Sequence, residues 1–156
     1  MGIEGLLKGH DLFRALNVEE AHALSEFSSV REYKADEIIF KFNDAAGHVY
    51  MLMTGSVNLR LPNDPQEFSL VISTIEKGEL FGLSPLLAST RYTATAQCSE
   101  ATEVLSIEAK PFRELLQGNC PVGFNVMNQV AHIYFNRYIN VLKSLQGVVS
   151  QISLIR

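Results

Sequence analysis

Between residues 30 and 107 the chain breaks into short apolar runs of four to eight residues, each followed by residue types that reverse the backbone, and this rhythm leaves few architectures open. The runs are Val30 to Tyr33, Glu37 to Phe40, Val49 to Met53, Ser56 to Leu61, Phe68 to Ile75, Ala94 to Gln97 and Glu103 to Ile107. Between them stand Asp36, Asn43-Asp44, Gly55, Pro62-Asn63-Asp64-Pro65 and Gly78. Strands of this length with turns at this spacing predict an antiparallel β-roll or barrel. Asp36 and Asn43 are expected to take left-handed backbone, which Asn and Asp tolerate best among residues other than glycine.

Helical periodicity flanks the β-rich stretch. Leu12, Phe13, Leu16, Leu24 and Phe27 predict two short helices before Val30, with Asn17 capping one that starts near Val18-Glu19-Glu20. Lys110-Pro111-Phe112 opens a short helix through Leu116, Gly118-Asn119 ends it, and Pro121 opens a much longer one. There Met127, Ala131, Tyr134, Tyr138, Val141, Leu145, Val148, Ile152 and Ile155 follow alternating steps of four and three. Such a heptad seam predicts a coiled coil and a homodimer through this helix, whereas a helix docked only on its own roll typically carries a broader stripe. Gly147 predicts fraying or a bend after Gln146. The chain divides accordingly into residues 1–118, a β-roll with N-terminal helices, and residues 119–156, a dimerisation helix.

Gly78 to Ala96 reads Gly-Glu-Leu-Phe-Gly-Leu-Ser-Pro-Leu-Leu-Ala-Ser-Thr-Arg-Tyr-Thr-Ala-Thr-Ala, the layout of an anion cradle. Gly82 allows backbone N–H groups to turn inward, and Ser84-Pro85 suit the first turn of a short helix. Together with Tyr50, the apolar run after it and Gly55-Ser56-Val57, this stretch resembles the cyclic-nucleotide-binding domain of the Crp/Fnr regulators, kinase regulatory subunits and gated channels. The resemblance covers about residues 5 to 145. It implies a jelly roll of the cupin-like kind, a long C-terminal dimer helix and a ligand site at Phe81, Gly82, Leu83, Ser84, Arg91, Tyr92, Thr93 and Ala94.

Two residues depart from the family's Phe-Gly-Glu-Leu and Pro-Arg-Ser/Thr-Ala-Thr patterns. Leu83 replaces the glutamate that meets the ribose, and with Thr93-Ala94-Thr95 in register Tyr92 replaces the arginine that pairs the cyclic phosphate. Arg91 then faces away from the pocket, because neighbouring strand residues point to opposite faces. The other register puts Arg91 on the arginine position and bulky Tyr92 on a small-residue position. The family's base-contacting residues fall near Asn136, Arg137 and Tyr138; Arg137 faces either solvent or the mouth of the roll, where it would supply a positive charge. Glu79 is expected as a solvated turn residue.

Charge and residue usage narrow the function classes. With 13 basic against 17 acidic residues and a formal charge of −4, no basic patch for nucleic acid is apparent. Crp/Fnr regulators continue into a helix-turn-helix domain, which the sequence up to Arg156 does not supply; whether it is a piece of a longer regulator or a stand-alone sensor stays open. There is no apolar run of membrane-spanning length and no signal-peptide start, so a cytoplasmic protein without membrane contact is expected. Cys98 and Cys120 are expected to be reduced and largely buried. His10, His22, His48 and His132 lack metal-ligand spacing, with His10 expected as a surface residue, and no arrangement of Ser, His, Cys or carboxylates suggests an activated nucleophile. Neither a metal, a haem nor an enzymatic activity is expected, and no cofactor beyond a cyclic nucleotide or other small anionic effector.

Two functions fit. One is a dimeric ligand-sensing regulatory domain that signals through its C-terminal helix and is not tuned to ordinary cyclic AMP. The other is a degenerate cradle serving as a dimerisation or partner-docking scaffold.

Overall fold

The computed structural model describes residues 2–61 and 70–153. Among these residues eight strands form two four-stranded antiparallel sheets: β1 (Ser28–Tyr33), β8 (Thr102–Glu108), β3 (His48–Thr54) and β6 (Leu80–Phe81) in one, and β2 (Ile38–Phe40), β7 (Thr95–Cys98), β4 (Val57–Leu61) and β5 (Leu70–Ile75) in the other. All seven predicted strands occur within a residue or two, although Phe68 and the Pro62 to Pro65 turn lie outside the described residues. β6 was not anticipated. Its two residues are too few to show a period, and they form a strand because Tyr50 pairs with Phe81 and Met51 with Leu80. Gly55 turns β3 into β4 at φ +91°, where a Cβ would come within 2.4 Å of the Ala101 carbonyl oxygen. Asp36 and Asn43 take φ of 71° and 70°, as their residue types predict.

Helices cover one side of the roll. α1 (Ile3–Gly9) and α2 (Val18–Glu26) precede it, separated by a 3-10 turn at Asp11–Phe13. Asn17 caps α2 reciprocally: its side chain accepts from the Glu20 N–H at 2.8 Å, and the Asn17 N–H donates to the Glu20 carboxylate at 3.1 Å. α3 (Ala109–Gly118) ends one residue before α4 (Cys120–Ser153) begins. Gly123 lets the two helices meet, since a Cβ there would lie 2.4 Å from the Leu116 carbonyl oxygen. α4 continues as helix through Gly147 to Ser153, so the expected fraying after Gln146 does not occur. Loss of one alanine's worth of propensity, up to about 1 kcal/mol, is too little to break a helix this long.

Two apolar clusters share the sheet β1-β8-β3-β6. Val49, Met51, Leu105 and Ile107 point to the helices and pack with Leu7, Phe13, Leu24, Phe112, Val122 and Val126. Tyr50, Leu52 and Val104 point into the roll and pack with Phe40, Val57, Leu59, Phe81 and Tyr92. The alternation is the two-residue period of a strand buried on both faces.

Two expectations about single side chains need correction. His10 is not a plain surface residue: its Nδ1 accepts from the Leu12 N–H at 3.2 Å and its Nε2 lies 2.9 Å from the Gly78 carbonyl oxygen. It pins the N-terminal segment to the turn before β6. Cys98 is buried, but Cys120, at the start of α4, is exposed.

Candidate functional site

The mouth of the roll lies between the β6-to-β7 segment and α4. After β6 the backbone turns at Gly82 with φ +66°, and Ser84–Leu87 form the expected short helix as a 3-10 turn with Pro85 in its first positions. A Cβ on Gly82 would lie 2.9 Å from Tyr50 Cδ2 and 3.1 Å from Phe40 Cε1, so the turn sits directly on those two rings. Gly82, Leu83, Ser84, Tyr92, Thr93, Ala94 and Arg137 line one cavity, together with Phe40, Leu59, Ile72 and Tyr134. Its volume is about 30 Å³. That is roughly the room of one water molecule, far below the ~300–1,000 Å³ of small-molecule sites.

Tyr92 is the reason for the small volume. It is 4% exposed and lies flat against Phe40, with ring centroids 3.9 Å apart and planes 16° apart. Phe40, Tyr50 and Phe81 continue the stack. The Tyr92 hydroxyl donates to the His48 carbonyl at 2.7 Å and accepts from the His48 N–H at 3.2 Å. Burial raises its pKa and that of Tyr50, so both phenols stay neutral. Leu83, 4% exposed, packs with the helical cluster. No carboxylate or guanidinium comes from these two positions.

Arg91 is not brought to the cavity. It is exposed, forms an isolated antiparallel bridge with Ala45, and its guanidinium donates to the Asn43 carbonyl at 3.0 Å. The backbone therefore follows the register in which Tyr92 faces inward and Arg91 outward. Phe81 is fully buried behind the cavity and does not line it.

Arg137 arrives from α4 and does line the cavity. Its guanidinium carbon stands 5.3 Å from the centroid of the Tyr134 ring, and its Nε is buried with no hydrogen-bond partner. Burial lowers its pKa, while Tyr134 and Glu79 act in the opposite direction. Glu79 is half-buried rather than solvated, and its backbone carbonyl accepts from the Leu52 N–H at 3.1 Å. Phe40, Leu59 and Ile72 were missed from sequence. Each reads only as a strand apolar residue until the roll closes.

α4 docks on the roll through Val122, Val126 and Val130 and then leaves its apolar residues uncovered. Of the seam positions, Met127, Ala131, Tyr134, Tyr138, Val141, Leu145, Val148 and Ile152 are exposed, and Ile155 lies outside the described residues. Phe135, Leu142 and Val149, spaced by seven, widen the stripe on one side. No helix among the described residues is long and apolar enough to cross a membrane.

A two-sheet roll closed by a glycine turn, a short helical turn and a long C-terminal helix defines the effector-domain class of regulatory proteins. Residues 30–119 match the model of the cyclic nucleotide-binding domain, more than half of the chain, and the chain belongs to that family. The family is a regulatory, ligand-binding one, and the fold is that of the Crp/Fnr-type effector domain.

Among curated relatives, the cyclic AMP receptor protein of Thermus thermophilus is 30% identical over 112 residues, covering 71% of this chain and 51% of the relative. The type II regulatory subunit of cAMP-dependent protein kinase from Drosophila melanogaster is 26% identical over 146 residues, 93% of this chain and 37% of the relative. The chain thus spans about half or less of the length of these relatives.

Among solved structures, a putative cyclic nucleotide-binding protein from Geobacter metallireducens superposes with a TM-score of 0.71 at 25% identity, covering 88% of this chain and 99% of that one. The sensor domain of the transcriptional regulator DNR from Pseudomonas aeruginosa superposes at 0.72 with 20% identity, covering 87% and 96%, and supports the fold.

Proposed function

We propose that this chain is a dimeric ligand-sensing regulatory domain that signals through α4 and is not tuned to ordinary cyclic AMP. The observation that carries the reading is the pairing of an intact cradle backbone with altered side chains. Gly82 takes a left-handed backbone and Ser84–Leu87 a short helical turn, as the resemblance implies, while Leu83 and Tyr92 put an aliphatic group and a neutral ring where the resemblance expects charged partners. An effector acts only by binding one arrangement of α4 more tightly than another. Arg137, Tyr134 and Ile72 bring α4 and β5 to the cavity and supply the physical link between cradle and helix. The exposed stripe on α4 supports a homodimer, since large apolar surface left in water favours association. Cytoplasmic location, the absence of direct nucleic-acid contact from this chain and the division at residue 118 belong to the same reading.

The cavity of about 30 Å³ favours a second reading, in which the aromatic stack has closed the cradle and the domain works as a dimerisation or partner-docking scaffold. Calorimetric titration with cyclic mononucleotides and small anions separates the two. A charge-assisted contact to phosphate contributes about 1.5–3 kcal/mol, so losing it together with the ribose carboxylate predicts cyclic AMP binding at least about a hundredfold weaker than in a cradle with both groups. A submicromolar dissociation constant for cyclic AMP would refute the proposal as to its ligand. Absence of any small ligand across the panel would favour the scaffold.

A further inference from the structure

A second cavity, of about 590 Å³, lies away from α4, between the segment before β3, the turn that follows the cradle and the start of α3. Its walls come from Ala45 to His48, from Pro85 with Ala88 to Thr90, and from Ala109, Lys110 and Arg113. None of these residues belongs to α4 or to the cradle cavity, so a dimer seam along α4 takes nothing from its lining. Its volume falls within the ~300–1,000 Å³ range of small-molecule sites, which that of the cradle does not. The cavity backs onto the cradle. Pro85 belongs to the short turn whose Ser84 lines the cradle, and the His48 backbone holds the Tyr92 hydroxyl.

The charge in this cavity is one-sided. Lys110 and Arg113 line it and no carboxylate does, although the chain as a whole carries −4. Both cations are exposed, and among the described residues neither is within ion-pair distance of a carboxylate, Glu108 and Glu114 beside them in sequence included. Three positions apart on one helix they are neighbours, and like charges there repel. They also stand in the first half of α3, where the helix dipole disfavours cations and the first turn holds no acidic residue. Residues that break local rules without a local gain mark functional sites. An anion between the two side chains relieves both repulsions. A phosphate fits better than a carboxylate, because about two charges over three acceptor oxygens meet the guanidinium fork and the lysine ammonium together. Thr90 brings a hydroxyl to the same wall. The other walls are small side chains, and a Cβ on Gly47 would meet nothing within 4 Å, so a short organic group has room beside the phosphate.

We propose that this cavity is an accessory site for a small phosphate monoester, its phosphate held by Lys110 and Arg113 and its organic part against Ala45, Ala46, Pro85 and Ala88. The test is an NMR titration of the full chain with inorganic phosphate, glycerol 3-phosphate and, as the neutral counterpart, glycerol, in about 0.15 M sodium chloride, where loose attraction between exposed charges is screened. Both phosphates are expected to saturate at one per chain, with shifts at Ala45 to His48, Ala88 to Thr90 and Lys110 to Arg113, and glycerol to shift nothing. Lys110→Gln and Arg113→Gln are each expected to weaken glycerol 3-phosphate about tenfold. Lys34→Gln should leave it unchanged, since Lys34 follows the end of β1 that pairs with Thr102, whereas the cavity lies at the Glu108 end of β8. Phosphate that does not saturate, equal weakening by Lys34→Gln, or binding of phosphatidate vesicles without binding of glycerol 3-phosphate would overturn the proposal. Shifts confined to Gly82, Thr93 and Ala94 would overturn it as well, and because those residues report the cradle alone, failure of either site is read separately from the other.

Discussion

Tyr92 lies flat on Phe40 at 3.9 Å between ring centroids, with its hydroxyl fixed to the His48 backbone from both donor and acceptor sides. The side chain that the family resemblance sets opposite the phosphate is thus part of the core. Phe40 with Tyr50, Phe81 and Tyr92 forms one aromatic stack at the floor of the cradle.

Restoring the two charged partners is therefore the most direct probe of the site. Leu83→Glu with Tyr92→Arg removes the ring that fills the cavity and supplies both missing groups, while Gly82 keeps its φ of +66°. The double variant is expected to gain measurable cyclic AMP binding by calorimetry and to lose some stability, because both positions are buried. A folded variant that binds no cyclic nucleotide would shift the balance to the scaffold reading.

Sedimentation velocity at micromolar concentration is expected to show a dimer, and Leu145→Glu a monomer. Leu145 is 56% exposed in the isolated chain and stands in the middle of the uncovered stripe, so a carboxylate there would be buried at a helix interface without a partner. A wild-type monomer indifferent to the substitution would sink the dimer.

Gly82→Ala is expected to destabilise the fold by about 2–5 kcal/mol, combining the left-handed backbone penalty with a clash against Tyr50 and Phe40. Chemical denaturation measures this. A loss below about 1 kcal/mol would mean that the turn relaxes and is not seated on the two rings.

His22 Nδ1 lies 2.6 Å from a carboxylate oxygen of Glu4, linking α2 to α1, and this hydrogen bond, followed by the charges of Glu4 and Glu26, raises the His22 pKa. Because the folded value exceeds the unfolded one, the contribution is fully present below the ordinary histidine pKa and is lost as pH rises through the raised value. An NMR titration should place the His22 midpoint above the ordinary value and lower it in Glu4→Gln, with Glu26 still holding it up. A midpoint unchanged by Glu4→Gln would remove the link.

Much of this was legible because local chemistry and fold agree. The Asn17 cap, the left-handed turns at Asp36 and Asn43 and the Ser84-Pro85 turn each depend on residues within a few positions, so residue type sufficed. The inward face of Tyr92 followed from strand alternation once Thr93-Ala94 set the register. What sequence did not disclose depends on distant partners. His10 is held by Gly78, 68 residues away, β6 exists because β3 offers an edge, and the cradle's small size arises from Phe40 reaching Tyr92 across the roll.

β3 carries Val49 and Met51 into one apolar cluster and Tyr50 and Leu52 into the other. One strand is thus a load path common to the helical layer and the interior of the roll. Opening either half disturbs a strand held along β8, so amide hydrogens along β3 are expected to be among the slowest to exchange and the two halves to melt together. A displacement imposed on the helices is transmitted across a single backbone thickness to the ring of Tyr50, which touches the cradle floor.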